Sequence, residues 1–94
     1  MKLEWSRLAL ADRDEIFDYI EADNPRAALA VDELIGGQLE RLVSFPGAGR
    51  PGRIEGTREL VIPGLPYIIP YRVADKMIQI ASVIHTSRKW PEKL

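Results

Sequence analysis

Three arginines and a histidine in the last third of the chain, Arg58, Arg72, Arg88 and His85, are its best-equipped side chains for chemistry. A guanidinium grips a phosphate or carboxylate in bidentate fashion and stabilises developing negative charge. An unperturbed imidazole titrates near pH ~6.5 and serves as a general acid or base at neutral pH. Each group also has a plainer reading. A lone histidine is more often a structural hydrogen-bonding residue, and Arg58 beside Glu59 and Glu55 would form surface ion pairs of little consequence. Thr86 and Ser87 have no histidine–carboxylate relay around them, which argues against a serine hydrolase. With one histidine and no cysteine, a zinc site is improbable, and no metal or cofactor is expected.

The elements that must position these residues come in a clear order. Lys2 to Ser6 reads as a short edge strand with Leu3 and Trp5 on one side. Residues 8–21 and 25–43 are amphipathic helices, with stripes at Leu8, Ile16 and Ile20 and at Val31, Leu34, Ile35, Leu39 and Leu42. Asn24-Pro25 between them is a helix start signal, a capping side chain followed by a residue whose missing N–H has no partner to lose. Gly36-Gly37 interrupts the second stripe at roughly 1 kcal/mol per glycine relative to alanine. A close approach by a neighbouring element would explain the pair, and so would a plain break; one continuous helix is expected. The Gly- and Arg-rich segment from Gly47 to Arg53 reads as a loop and lacks the Gly-Lys-Ser/Thr ending of a phosphate-binding loop.

Three strands follow, Thr57–Ile62, Tyr67–Val73 and Met77–Ile84, joined by Pro63-Gly64-Leu65-Pro66 and by the tight connection Ala74-Asp75-Lys76. Pro70 cannot donate to a ladder, so its strand should be at an edge or carry a bulge. Met77–Ile84 is apolar on both faces, as a central strand is. Arg58 and Arg72, on neighbouring strands, are candidates for a shared face. The short connections predict an antiparallel meander covered on one face by the helix hairpin, an α+β fold in a single domain spanning 1–94. Trp90 either tucks the tail back onto the core or stays exposed as an anchor for a protein partner.

Composition bounds the function. The chain has 94 residues, 13 Lys/Arg and 14 Asp/Glu, for a net charge of −1. That charge is unevenly spread, with five basic and ten acidic residues up to Phe45 and eight basic and four acidic from Pro46 onward. Asp12, Asp14, Glu15, Asp18 and Glu21 read as the solvated face of the first helix, and the sheet half reads as a basic working face. The charged opening residues form no signal-peptide core, and no apolar run approaches the ~20 residues that span a bilayer. The absence of cysteine is compatible with a reducing compartment, so the expected location is the cytoplasm, with no membrane partner.

Over essentially its whole length the chain resembles the RelE/ParE superfamily of toxins from bacterial type II toxin–antitoxin operons, often called plasmid stabilisation proteins. The resemblance is carried by Gly49-Arg50-Pro51-Gly52-Arg53, Gly56-Thr57-Arg58-Glu59-Leu60-Val61, Pro66-Tyr67-Ile68-Ile69-Pro70-Tyr71-Arg72-Val73 and Val83-Ile84-His85-Thr86-Ser87-Arg88-Lys89-Trp90-Pro91. It implies a strand, a helix hairpin and an antiparallel sheet. It also implies a cognate antitoxin that wraps the toxin in a hetero-oligomer, using the groove between helices and sheet.

The superfamily divides by target. RelE-like members cut messenger RNA on the ribosome, and ParE-like members poison DNA gyrase. In the nucleases the strand matching Tyr67–Val73 commonly carries an arginine directly after the tyrosine, where this chain has Ile68. Arg72, four residues further on, is not a matched substitute. A sequence pI near 5.8 is also low for a protein that binds among ribosomal phosphates. The resemblance therefore implies a ParE-like gyrase poison with Arg58, Arg72, Arg88, Lys89 and Trp90 as target-binding residues. In the alternative, a RelE-like ribosome-dependent nuclease, Arg58 and Arg88 grip the scissile phosphate and His85 acts as acid or base. A third reading is a non-toxic partner that only modulates operon repression.

Overall fold

A computed structural model of the chain describes residues 1–88 and residue 90. Strand β1 (Lys2–Trp5) leads into helix α1 (Arg7–Glu21), then helix α2 (Pro25–Ser44), then β2 (Arg50–Pro51), β3 (Arg58–Val61), β4 (Tyr67–Ala74), β5 (Met77–Ile80) and β6 (Ile84–His85). One sheet forms in the order β1-β5-β4-β3-β2, and β6 pairs with β4 beyond the end of β5. β3, β4 and β5 are the antiparallel meander that the short connections predict. β1 lies parallel to β5, so the sheet is mixed, and the long connection between these two neighbours holds the helix hairpin and strands β2 to β4.

Both helices begin with capping side chains. The Ser6 hydroxyl accepts from Ala9 N–H at 2.9 Å, and Asn24 Oδ1 accepts from Ala27 N–H at 3.1 Å, with Pro25 in the first turn. α2 runs unbroken through Gly36-Gly37. A Cβ on Gly36 would sit 3.2 Å from the Arg13 guanidinium, whereas Gly37 faces open space, so only the first glycine has a packing reason. Arg13 closes the hairpin in bidentate fashion, with Nε 2.6 Å and Nη2 3.0 Å from the Asp32 carboxylate, and its guanidinium lies 5.0 Å over the Trp5 ring.

The core lies between this hairpin and one face of the sheet. Ile35, Leu39 and Leu42 of α2 pack with Leu60, Ile69, Tyr71, Ile78 and Ile80. Tyr71 is fully buried, and its hydroxyl donates to Pro46 O at 2.8 Å while accepting from Gly49 N–H at 2.9 Å. That pair fastens the end of α2 and the following segment to the middle of the sheet.

Four sequence expectations change. The segment 47–53 is not all loop, because Arg50-Pro51 pairs antiparallel with Arg58 and Glu59 as a short edge strand. β4 is a central strand despite Pro70, and the disruption falls on its partner instead. Tyr71 pairs with Ile80, but Ile68 pairs with Ile84, so three steps along β4 face four steps along the returning chain. Met77–Ile84 is accordingly not one strand. Strand β5 ends at Ile80, Ala81 N–H still donates to Pro70 O at 3.0 Å, and a one-residue bulge follows before pairing resumes at Ile84. Finally, Arg58 stands opposite Tyr71, so Arg72, the next residue, points to the other face of the sheet, and the two arginines do not share one.

Candidate functional site

A cleft of about 500 Å³ opens between α1 and the β4–β6 end of the sheet. Tyr67, His85, Ser87 and Arg88 form its sheet wall, and Asp12, Glu15, Ile16 and Tyr19 form its helix wall. Cross-strand pairing of Tyr67 with His85 brings their rings edge to face, 5.5 Å between centroids at 86°. Ser87 N–H donates to His85 Nδ1 at 3.1 Å, and the Ser87 hydroxyl lies 2.7 Å from the same atom. A backbone N–H can only donate, so Nδ1 is the acceptor and neutral His85 carries its hydrogen on Nε2.

Burial pushes the Tyr67 phenol up from its ordinary value, and the nearby Arg88 guanidinium pulls partly the other way. The ring is therefore a neutral O–H donor at physiological pH. The cleft thus holds a cation, a phenol and an imidazole on one side, and two carboxylate-bearing residues with an exposed tyrosine on the other.

Of the sequence candidates, His85 and Arg88 share this cleft. Arg58 does not. It pairs with Tyr71 in the middle of β4, four residues or roughly 13 Å along the strand from the Tyr67–His85 pair. Its Nη1 donates to Gly49 O at 2.7 Å and reaches Gly47 O at 3.5 Å, which holds the turn after α2. Neither Glu55 nor Glu59 is its ion-pair partner in the structure. Arg72 is half-buried on the opposite sheet face, in a shallow recess with Glu4 and Gln79. Lys89 lies outside the described residues.

Trp90 is half-buried, with the Arg53 guanidinium 3.7 Å above its ring. The ring is thus not tucked into the helix–sheet core, as one of the two readings has it, but lies against a guanidinium. Arg53 in turn belongs to a cluster that sequence reading missed. Glu59, 3% exposed, accepts from Arg50 Nε and Nη2 at 3.1 and 3.0 Å and from Arg53 N and Nε at 2.8 and 3.4 Å. Burial pushes its carboxyl up, but the Arg53 N–H and the two guanidinium groups outweigh that and hold it below the ordinary carboxylate range.

The signal for this cluster was the Gly-Arg-Pro-Gly-Arg spacing. A Cβ at Gly49 would lie 2.7 Å from the Tyr71 ring, and one at Gly52 would collide with Thr57, so glycine at both positions lets the two arginines lie flush on Glu59. Tyr67 was also missed as a cleft residue, although its alternation with Ile69 and Tyr71 places it on the helix face. Asp12, read as part of a solvated helix face, is instead turned to the sheet, where its carboxylate accepts from Ser82 Oγ at 2.6 Å and Val83 N–H at 2.9 Å.

A strand, a helix hairpin and a meander, with Arg88 in the cleft beside them, make the arrangement that the RelE/ParE resemblance implies. The chain belongs to the ParE toxin family of type II toxin–antitoxin systems (parDE), whose family model matches residues 3–90. It is 45% identical over 93 residues to the protein named "Putative toxin Y4kP" of Sinorhizobium fredii, covering 99% of this chain and 96% of that one. It is 33% identical over 84 residues to toxin RelE2 of Caulobacter vibrioides, covering 89% and 93%. Among solved structures, a chain of the chromosomal ParDE toxin–antitoxin system from P. aeruginosa superposes with a TM-score of 0.83 at 37% identity, covering 93% of this chain and 97% of that one.

Proposed function

We propose that this toxin arrests growth by binding DNA gyrase through its C-terminal segment, and that a cognate antitoxin neutralises it by direct binding. The observation that carries this reading is the separation of Arg58 from His85 and Arg88. Ribosome-dependent cleavage needs groups that activate the 2′-hydroxyl, stabilise the pentavalent phosphate and protonate the leaving oxygen around one phosphate. Here Arg58 is committed to the Gly47 and Gly49 carbonyls, Ile68 is buried where a nuclease carries arginine, and the cleft holding His85 and Arg88 has Asp12 and Glu15 on its opposite wall. Those carboxylates repel a polyanion.

In this reading Arg88, with Lys89 beside it in the sequence, presents charge to the target, while Trp90 docked on Arg53 fixes the posture of the segment. Arg58 and Arg72 serve the two sheet faces separately and do not form one continuous patch. The antitoxin partnership rests on membership of the ParE family and on the likeness to a chain from a ParDE toxin–antitoxin system.

A nuclease reading keeps one point in its favour, the meeting of Tyr67, His85, Ser87 and Arg88 in a single cleft. One experiment separates the two. Purified toxin is added to a gyrase supercoiling and cleavage assay and, in parallel, to ribosomes programmed with message. Gyrase poisoning that Arg88→Ala abolishes and His85→Gln leaves intact is the expected result. Cut message with unaffected gyrase overturns the proposal.

A further inference from the structure

The bulge between β5 and β6 decides which face of the sheet His85 occupies, and the apolar pattern of the chain does not select it. The residues around it read Ala81-Ser82-Val83-Ile84-His85. With the bulge, Ile84 stands opposite Ile68 and His85 opposite Tyr67, so His85 shares the helix face with Tyr67. Without it, the Tyr71–Ile80 register would continue, Ile84 would stand opposite Tyr67, and His85 would turn to the other face. Val83 and Ile84 are both apolar and both buried, so either register buries one of them on each side. Hydrophobic patterning leaves the choice open.

We infer that Asp12 is the positioning residue that makes this choice, a register lock for the C-terminal segment. A bulge leaves its extra residue without a ladder partner, and a buried N–H left unpaired is costly enough to reject a conformation. The Asp12 carboxylate supplies what the ladder lacks, because one oxygen accepts both Val83 N–H and the Ser82 hydroxyl. The same stretch of chain is held from a second side: the Ser6 hydroxyl donates to Ala81 O at 2.8 Å, and Ser6 N–H donates to Ile80 O at 3.0 Å. Ser6, which caps α1, and Asp12 within it therefore hold residues 80–83 at four points, three on the backbone and one on the Ser82 side chain. Asp12 lines the cleft and also aligns its opposite wall, so His85, Ser87 and Arg88 face α1 only while this carboxylate is in place. Any effect on toxicity rests on the target-contact reading of Arg88 given above. The register itself does not.

The test is a pair of changes read by NMR on the full chain. In Asp12→Ala, Val83 amide exchange should accelerate at least tenfold and the Tyr67–His85 ring contact should disappear, while contacts of Leu39 with Ile69 persist. Deleting Ser82 removes the extra residue, so Val83, Ile84 and His85 would pair with Ile69, Ile68 and Tyr67 in an unbroken ladder. In that shortened chain Asp12→Ala should leave the Tyr67–His85 contact intact, including where the same substitution in the full chain prevents folding. An Asp12→Ala chain that keeps both the ring contact and Val83 protection overturns the inference. So does a Ser82-deleted chain that fails to fold or that Asp12→Ala disturbs as much as it disturbs the parent. Each result is scored without a toxicity assay and leaves the gyrase reading to its own experiment.

Discussion

The guanidinium of Arg53 lies 3.7 Å above the ring of Trp90 while its Nε reaches the buried carboxylate of Glu59 at 3.4 Å. One side chain therefore links Glu59 of β3, next to the edge strand, to Trp90, the last described residue. Cation–π stacking contributes about 0.5–2 kcal/mol depending on exposure. Arg53 is half-exposed, which argues for the lower half of that range.

Replacing Arg53 by alanine should release Trp90. In a Trp5→Phe background, where Trp90 is the remaining indole, emission should shift to the red and quenching by iodide should rise. Unchanged emission would mean that Trp90 is held by something other than Arg53. In the gyrase assay the same substitution should weaken poisoning without unfolding the chain.

Glu59 governs the acid side of the stability profile. Its carboxyl in the folded chain is held below the ordinary value of 4.5, so the unfolded state binds the proton more readily. The contribution is complete above about pH 4.5 and is lost as pH falls through the lower folded value. Thermal melts should therefore show stability dropping below that pH, and Glu59→Gln should remove part of the drop. At pH 7 the Gln chain should be about 1–3 kcal/mol less stable in urea, a range set below that of a fully buried pair because Arg50 and Arg53 are half-exposed and rehydrate. A Gln chain with the parental acid slope would assign that slope to other carboxylates.

The two kinds of glycine in this chain should respond oppositely to alanine. Gly37 is helical with nothing near its missing side chain, so Gly37→Ala should stabilise by up to about 1 kcal/mol. At Gly49 a Cβ would meet the Tyr71 ring at 2.7 Å and the Glu59 carbonyl oxygen at 2.9 Å, so Gly49→Ala should destabilise by about 1–3 kcal/mol. Differential scanning calorimetry of the two single variants checks both signs. A stable Gly49→Ala chain would show that the segment after α2 can lift off the sheet at little cost.

Tyr71→Phe keeps the ring that fills the core and removes only the hydroxyl. Gly49 N–H and Pro46 O then lose their shared partner, and the expected loss is about 1–3 kcal/mol, read from chemical denaturation. Hydrogen exchange should quicken at Gly49 while amides in the centre of α2 stay protected.

Much of the scaffold was legible because it follows from local rules. Asn24-Pro25 started a helix where capping chemistry says it should, and stripes at helical spacing gave two helices within a residue or so of their observed limits. The turn Asp75-Lys76, with φ of 51° and 61°, closed a two-residue hairpin as the short connection implied. The family resemblance was likewise carried by short stretches in order, and residues 3–90 match the ParE toxin model.

What the sequence alone determined, then, is the list and order of elements, since caps, periodicity and turns act within a few residues of one another. Only the tertiary structure decided where the polar groups meet. Pro70 announced a disruption, but its location on the partner strand depends on Asp12, distant in sequence, accepting the N–H and hydroxyl that the bulge leaves free. The partners of Glu59 were not its neighbour Arg58 but Arg50 and Arg53, because the edge strand β2 sets Arg50 opposite Glu59 and the chain just beyond it brings Arg53 to the same carboxylate. Side-chain alternation then sends Arg58 and Arg72 to opposite faces, and four residues of β4 separate Arg58 from the His85 cleft. Those relations, whether six residues apart or seventy, depend on strand register, which is set by the packed sheet as a whole and by no local stretch of sequence.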